Sequence, residues 1–219
     1  MTSPAQRHYE RTLAAQAATE DSDCHHANAY ERMLMQLAED RRRLKQVQSV
    51  ERKVALKRQL LPRYHDWIAG TLEGGDGAQD DVLMTALVWH IDTGDYGWAL
   101  RIADYALAHN LTLPDQYQRD TATVIAEEIA EAALAALGAG QAFDLAVVLN
   151  ADQLTRQRDM PDQARAKLHK AAGLLLSEEN PQAALEHLRR ALSLHDRVGV
   201  KKDIEKLERA LKKTTGGTD

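Results

Sequence analysis

The chain holds nine histidines, one cysteine and thirty-three carboxylates, and three places group them in ways that could do chemistry. Cys24-His25-His26 sets a thiol beside two imidazoles, the start of a metal corner. No second Cys or His pair follows at a matching spacing, so a polar loop is the simpler expectation. His65-Asp66 joins an imidazole to a carboxylate, but adjacent residues on a helix do not face each other and no nucleophile motif accompanies them. Asp76, Asp80, Asp81, Asp92 and Asp95 are dense enough to raise a two-metal nuclease, which needs carboxylates converging on ions roughly 4 Å apart. Helix-dipole and capping roles explain Asp80, Asp81 and Asp95 more simply. Asp76, Asp80 and Asp81 therefore stand as an alternative catalytic set; otherwise no catalytic residue, metal ligand or cofactor is expected. The run Glu73-Gly74-Gly75-Asp76-Gly77 lacks the Lys-Ser/Thr of a phosphate-cradling loop and is expected to be a flexible connection.

A stronger signal lies in the placement of charge. Asp40 to Arg63 carries nine Lys/Arg against two acids, a net +7, and Asp66 to Asp162 carries four against seventeen, a net −13. The basic block sits in Ala27 to Leu61, thirty-five residues without Gly or Pro, which predicts a single long helix or a helical hairpin. At about 100° per residue, Arg41, Arg42, Lys45, Arg52, Lys53 and Lys57 share roughly a 160° arc. Arg58 follows them, and Arg7 makes the N-terminal segment mildly basic. A one-signed arc of this kind suits a polyanion, nucleic acid above all. The plain alternative is a solvated amphipathic helix. Tyr30, Met33, Leu37, Leu44, Val47 and Val54 form a 3/4-spaced apolar seam interrupted by Asp40, Glu51 and Arg58, suited to a hairpin or to contact between copies of the chain.

The elements that would position these residues are helices. A 44% hydrophobic, 28% charged composition with a single Phe and few β-branched runs predicts an all-α fold. One cysteine permits no internal disulfide, and no apolar stretch approaches 18 residues, so no membrane contact and a reducing cytoplasm are expected. Residues 1–26 are expected as a mobile arm, 27–72 as a basic helical region for DNA and oligomerisation, 78–158 as an acidic helical core, 160–213 as a C-terminal helical partner-binding region, and 214–219 as a disordered tail. Trp67, Trp89 and Trp98 sit among apolar neighbours and are expected in the core.

Two helical hairpins are expected, because Ala99-Leu100 and Ala106-Leu107 align with Ala184-Leu185 and Ala191-Leu192, and Asp95 with Asn180. Each resembles a single tetratricopeptide-like unit, in which small residues let helices approach closely. The last helix carries Val200, Ile204, Leu207 and Leu211 on one stripe, with Lys201 and Lys202 at its start. Terminal packing is the preferred reading of that stripe and docking on a partner the competing one. Between Met160 and Lys213 twelve bases are interleaved with eight acids, a pattern that suits protein contact more than DNA.

Several runs together carry a resemblance. Gly77-Ala78-Gln79-Asp80-Asp81-Val82-Leu83-Met84-Thr85, then Trp89, Asp92-Thr93-Gly94-Asp95 and Ala99-Leu100 resemble the terminase small subunit of P-two-like temperate contractile-tailed phages. So do Met1-Thr2-Ser3-Pro4-Ala5-Gln6-Arg7-His8, Met160-Pro161-Asp162 with Arg165-Ala166-Lys167-Leu168-His169-Lys170, and Gly199-Val200-Lys201-Lys202. The resemblance implies recognition of the cohesive-end packaging-initiation site on concatemeric double-stranded phage DNA in the host bacterial cytoplasm. It also implies a ring-forming homo-oligomer and transfer of DNA to a large subunit that hydrolyses ATP and cuts. The seam from Tyr30 to Val54 would then serve oligomerisation, and Lys201, Lys202, Ile204, Leu207 and Leu211 the large subunit. The family has also carried the label "endonuclease subunit", so a Mg²⁺-dependent nuclease is one alternative and a helical-repeat adaptor the other.

Overall fold

In the computed structural model, which describes residues 4–17, 24–114 and 119–215, helices and their connections account for every described element, and no strand occurs among the described residues. The chain forms two compact units, Met1–Thr121 and Ala122–Asp219. The span 78–158, expected as one acidic core, is thus divided. The acidic charge is continuous across residue 121, but compactness follows apolar packing, which charge counts do not report.

The first unit holds α1 (Pro4–Ala17), α2 (Cys24–Gln46), α3 (Val50–Leu60), a 3-10 turn at Leu61–Arg63, α4 (His65–Gly74), α5 (Asp81–Thr93) and α6 (Tyr96–Ala108). Its axis is α5, buried at every position from Val82 to Ile91, as a helix apolar on all sides must be. Leu60, Leu61, Tyr64, Trp67, Ile68, Ile102 and Ala106 complete the core around it. Asp80 starts α5: its Oδ1 accepts the Val82 and Leu83 N–H groups at 2.8 and 2.9 Å, and its Oδ2 accepts Trp67 Nε1–H at 2.7 Å. One carboxylate thereby caps α5 and ties it to α4. Gly94, at φ 75°, ends α5 in the left-handed conformation, and the chain turns straight into α6.

The stretch 27–61, expected as a single long helix or a helical hairpin, is two helices. Ser49, at φ −66° and ψ 128°, leaves the helical region, and its Oγ accepts the Arg52 N–H at 3.4 Å. Freedom from Gly and Pro permits a helix without requiring one, and a serine N-cap satisfies the donors that a restart exposes. Both Leu44 and Leu60 are buried, which a chain that turns between them achieves. The expected N-terminal arm contains α1, with Leu13 buried, packed along α4, and an ion pair from Arg11 to Glu73. Residues 1–3 and 18–23 of that arm, and 216–219 of the tail, lie outside the described residues. Cys24 begins α2 instead of lying in a loop. The glycine-rich connection is pinned, since Gly77 N–H donates to Tyr105 Oη at 2.9 Å.

The second unit holds α7 (Thr121–Gly138), α8 (Leu145–Thr155), α9 (Asp162–Leu176), α10 (Pro181–Leu194) and α11 (Lys201–Thr215). Both expected hairpins form, α5–α6 in one unit and α9–α10 in the other. In the latter, a Cβ on Gly173 would stand 2.6 Å from Leu188 Cδ2 and 3.0 Å from Ala184 O, so glycine is what lets the helices meet. The stripe of α11 is covered within the chain: Val200, Ile204 and Leu207 are buried with Leu176, Ala184, Leu185 and Leu188, and Leu211 packs on them.

A candidate polyanion groove between α2 and α3

Restarting the helix at Ser49 changes what the basic residues can do together. Arg41, Arg42 and Lys45 on α2 and Lys53 and Lys57 on α3 line a cavity of about 440 Å³, with Ala38, Leu44 and Trp89 as its apolar wall. No carboxylate belongs to that lining. Asp92, outside the lining, pairs with Lys57, and an apolar wall lowers the local dielectric and strengthens the remaining positive potential.

Two of the five cations are held from within the unit. Arg41 Nη2–H donates to Thr85 Oγ1 at 2.6 Å, a neutral partner that fixes the guanidinium without quenching its charge. Lys57 pairs with Asp92. Arg42 and Lys45 are exposed and Lys53 is half-buried. Below them Asp40, fully buried, accepts from Tyr64 Oη–H at 2.8 Å and Gln36 Nε2–H at 3.1 Å, with Arg43 and Arg63 at 3.3 and 3.4 Å. It fastens α2 to the start of α4 and so fixes the groove's first wall. Burial, followed by the bond to Asp40, pushes the Tyr64 hydroxyl well above its usual range, which keeps it a donor. The polar partners Thr85 and Asp40 were missed at the sequence level. The available signals were a threonine inside an apolar helix and an acid interrupting an apolar seam.

The other three basic residues expected to act with these stand apart. Arg58 gives Nε–H and Nη2–H to Thr93 O at 3.3 and 2.9 Å, closing the end of α5. Arg52 is exposed and outside the groove lining. Arg7 lines a different cavity, between α1, α2 and α4, where Glu10 and Asp66 accompany Arg32 and Arg63.

The apolar seam is partly taken up inside the unit. Leu37 and Leu44 are buried, Tyr30 stacks on Trp67 at 5.8 Å and its Oη accepts the Asp81 N–H at 3.0 Å, and Met33 lines the cavity between α1, α2 and α4. Val47 and Val54 are half-buried, whereas Met35 and Val50, outside the seam, are 73% and 75% exposed. At the C-terminus Lys201 and Lys202 are exposed, and Ile204, Leu207 and Leu211 belong to the core of the second unit. Packing, not a free docking face, explains that stripe. The alternative catalytic carboxylates have separate duties: Asp80 caps α5, Asp76 Oδ1 accepts the Ala78 N–H at 3.2 Å, and Asp81 Oδ1 accepts from Gln79 Nε2–H at 3.3 Å.

The sequence model of the family described as phage small terminase subunit matches residues 34–163, from within α2 to the start of α9. The "Terminase, endonuclease subunit" of Escherichia phage P2 is 50% identical over 214 residues, covering 97% of this chain and 87% of that one. The "Probable terminase, endonuclease subunit" of Haemophilus phage HP1 (strain HP1c1) is 24% identical over 197 residues, covering 83% of this chain and 70% of that one. No solved structure matches.

Proposed function

The chain belongs to the phage small terminase family, and from that premise we propose that it grips double-stranded phage DNA by its phosphates in the α2–α3 groove and presents it to the terminase large subunit. The observation that carries the reading is the convergence of Arg41, Arg42, Lys45, Lys53 and Lys57 on one cavity whose lining includes no acid. Phosphate contacts position a duplex without reading its sequence, so base recognition at a packaging site belongs to other residues. Self-assembly is part of the same reading. Within the α2–α3 region its support is the pair Met35 and Val50 with half-buried Val47 and Val54. Large-subunit contact falls to the exposed charged face of α11, Lys201 and Lys202 included, because its apolar face is covered. A native mass of one chain at micromolar concentration would remove the assembly part.

Cutting and ATP hydrolysis are assigned to the large subunit. That placement is supported by the other engagements of Asp76 and Asp80, although the two relatives' names include "endonuclease subunit". A gel shift with the intact protein tests the division. A shift without Mg²⁺ and no cleavage with it is the expected result; cleavage that requires Mg²⁺ favours the nuclease alternative, and neither favours the adaptor. Replacing Arg42, Lys45 and Lys53 with alanine should weaken binding to every duplex alike and flatten the log–log salt slope by about 0.9 for each phosphate that is no longer neutralised. An unchanged affinity and slope would overturn the groove.

A further inference from the structure

Three elements of the first unit meet at a point away from the groove lining. His65 is the first residue of α4, His90 lies in the last turn of α5, and Asp95 precedes the first residue of α6. Each offers a ligand atom, and these atoms lie within 4.8 Å of one another, the one such grouping of three His, Cys or carboxylate side chains among the described residues. His90 is fully buried and His65 half-buried.

Hydrogen bonding leaves this cluster incomplete. His90 Nδ1 lies 3.1 Å from Asp95 Oδ2, a separation at which both atoms can bind one cation in the tautomer that carries its proton on Nε2. Nε2 of His90 is buried with no hydrogen-bond partner, and so is Nε2 of His65. A buried polar atom without a partner is rare in a folded protein, and the Nε2 of His65, beside the His90–Asp95 pair, is a nitrogen free to bind a cation.

Asp95 supplies a third observation. It stands at the N-cap of α6, where a carboxylate ordinarily accepts from the helix N–H groups, yet its side chain makes no cap bond and turns to His90. The aligned residue of the other hairpin, Asn180, does cap, accepting the Ala183 N–H at 3.1 Å. The left-handed Gly94 between His90 and Asp95 brings the carboxylate back toward the imidazole.

We propose that His65, His90 and Asp95 bind a zinc-class divalent cation, two imidazole nitrogens and a carboxylate oxygen coordinating it and water completing the shell. The donor set suits Zn²⁺. Burial lowers the pKa of both imidazoles, that of His90 to about 4, so both are neutral and able to coordinate at pH 7. Four-coordinate zinc, with bonds of about 2.0–2.1 Å, sets its ligands roughly 3.3 Å apart. The His90–Asp95 edge already has that length; the rest closes by rotation of His65, whose ring now stacks on His90 at 5.6 Å and on Trp98 at 5.0 Å. Trp98 screens the cluster and is covered by Arg101 at 4.7 Å. An ion here would staple α4 to the α5–α6 hairpin without touching the groove.

The test titrates Zn²⁺ into the full-length, chelator-treated protein by calorimetry and follows Co²⁺ by its visible absorption. The wild type should bind one ion with a tetrahedral Co²⁺ spectrum of mixed nitrogen and oxygen ligation and melt at higher temperature when loaded. His65→Phe and Asp95→Asn should each weaken that binding tenfold or more, while His187→Phe leaves it unchanged. Circular dichroism establishes that each variant is folded, and Asp95→Asn, a near-isosteric change at a partly exposed position, keeps the test decisive if His65→Phe is not. Absence of binding in the wild type, or binding of unchanged affinity in both cluster variants, overturns the proposal; in the latter case the ion belongs elsewhere, for instance at Cys24-His25-His26.

Discussion

Hairpins α5–α6 and α9–α10 pose the same problem of buried imidazoles and solve it differently. In the second unit His169 on α9 and His187 on α10 face each other, Nδ1 to Nδ1 at 3.0 Å, so one donates what the other accepts. Asp152, Glu186, Arg156, Arg165 and Arg190 surround them. In the first unit His65 and His90 stack with an unpartnered Nε2 on each. Asn180 caps its helix, whereas Asp95 gives up that duty to face His90. A pattern of Ala and Leu fixes helix approach in both hairpins, but only the distribution of polar partners separates a closed structural pair from one prepared for a ligand.

The comparison breaks most severely at the α9–α10 contact. Gly173→Val forces a side chain into Leu188 and the Ala184 carbonyl and should destabilise the second unit by about 3 kcal/mol, read as an early loss of signal in thermal or denaturant unfolding. An unchanged midpoint would mean that the helices separate freely.

Next in size is the imidazole pair itself. In chelator-treated protein at pH 7.5, His187→Phe strands His169 Nδ1 and should cost about 1–2 kcal/mol. His65→Phe removes an atom that already lacks a partner and keeps the stack on Trp98, so it should change stability by less than about 0.5 kcal/mol. Equal losses would erase the distinction between the pairs. Acid sharpens it. Burial lowers the pKa of His169 and His187 below the ordinary 6.5 of the unfolded chain, so below that pH the unfolded state binds protons that the folded state refuses. Stability from this source is complete above about pH 6.5 and declines as pH falls toward the folded values. His187→Phe should make the decline between pH 6.5 and 4.5 shallower in melting experiments.

The smallest effect separates the two caps. Asn180→Ala should cost about 1 kcal/mol by removing the acceptor of the Ala183 N–H, whereas Asp95→Ala, in the absence of metal, should cost a few tenths as a cap because no such bond exists. Equal costs would show that Asp95 caps α6 in solution and would weaken its assignment to the imidazoles.

The amino-acid sequence by itself determined the helical class, both hairpins, the core placement of Trp67 and Trp89, and the concentration of positive charge at Arg41 to Lys57. These follow from composition, 3.6-residue periodicity and local turn chemistry, which are properties of neighbours along the chain. Tertiary structure alone decided the rest. It set α2 against α3 so that an arc drawn on one helix became a groove on two. It filled part of the seam and the α11 stripe with partners from the same chain. It also joined His65 to His90 and Asp95 across twenty-five residues. Amphipathic spacing states that a face will be covered, not by what. Side chains distant in sequence become neighbours only when the apolar surfaces of their helices are buried together.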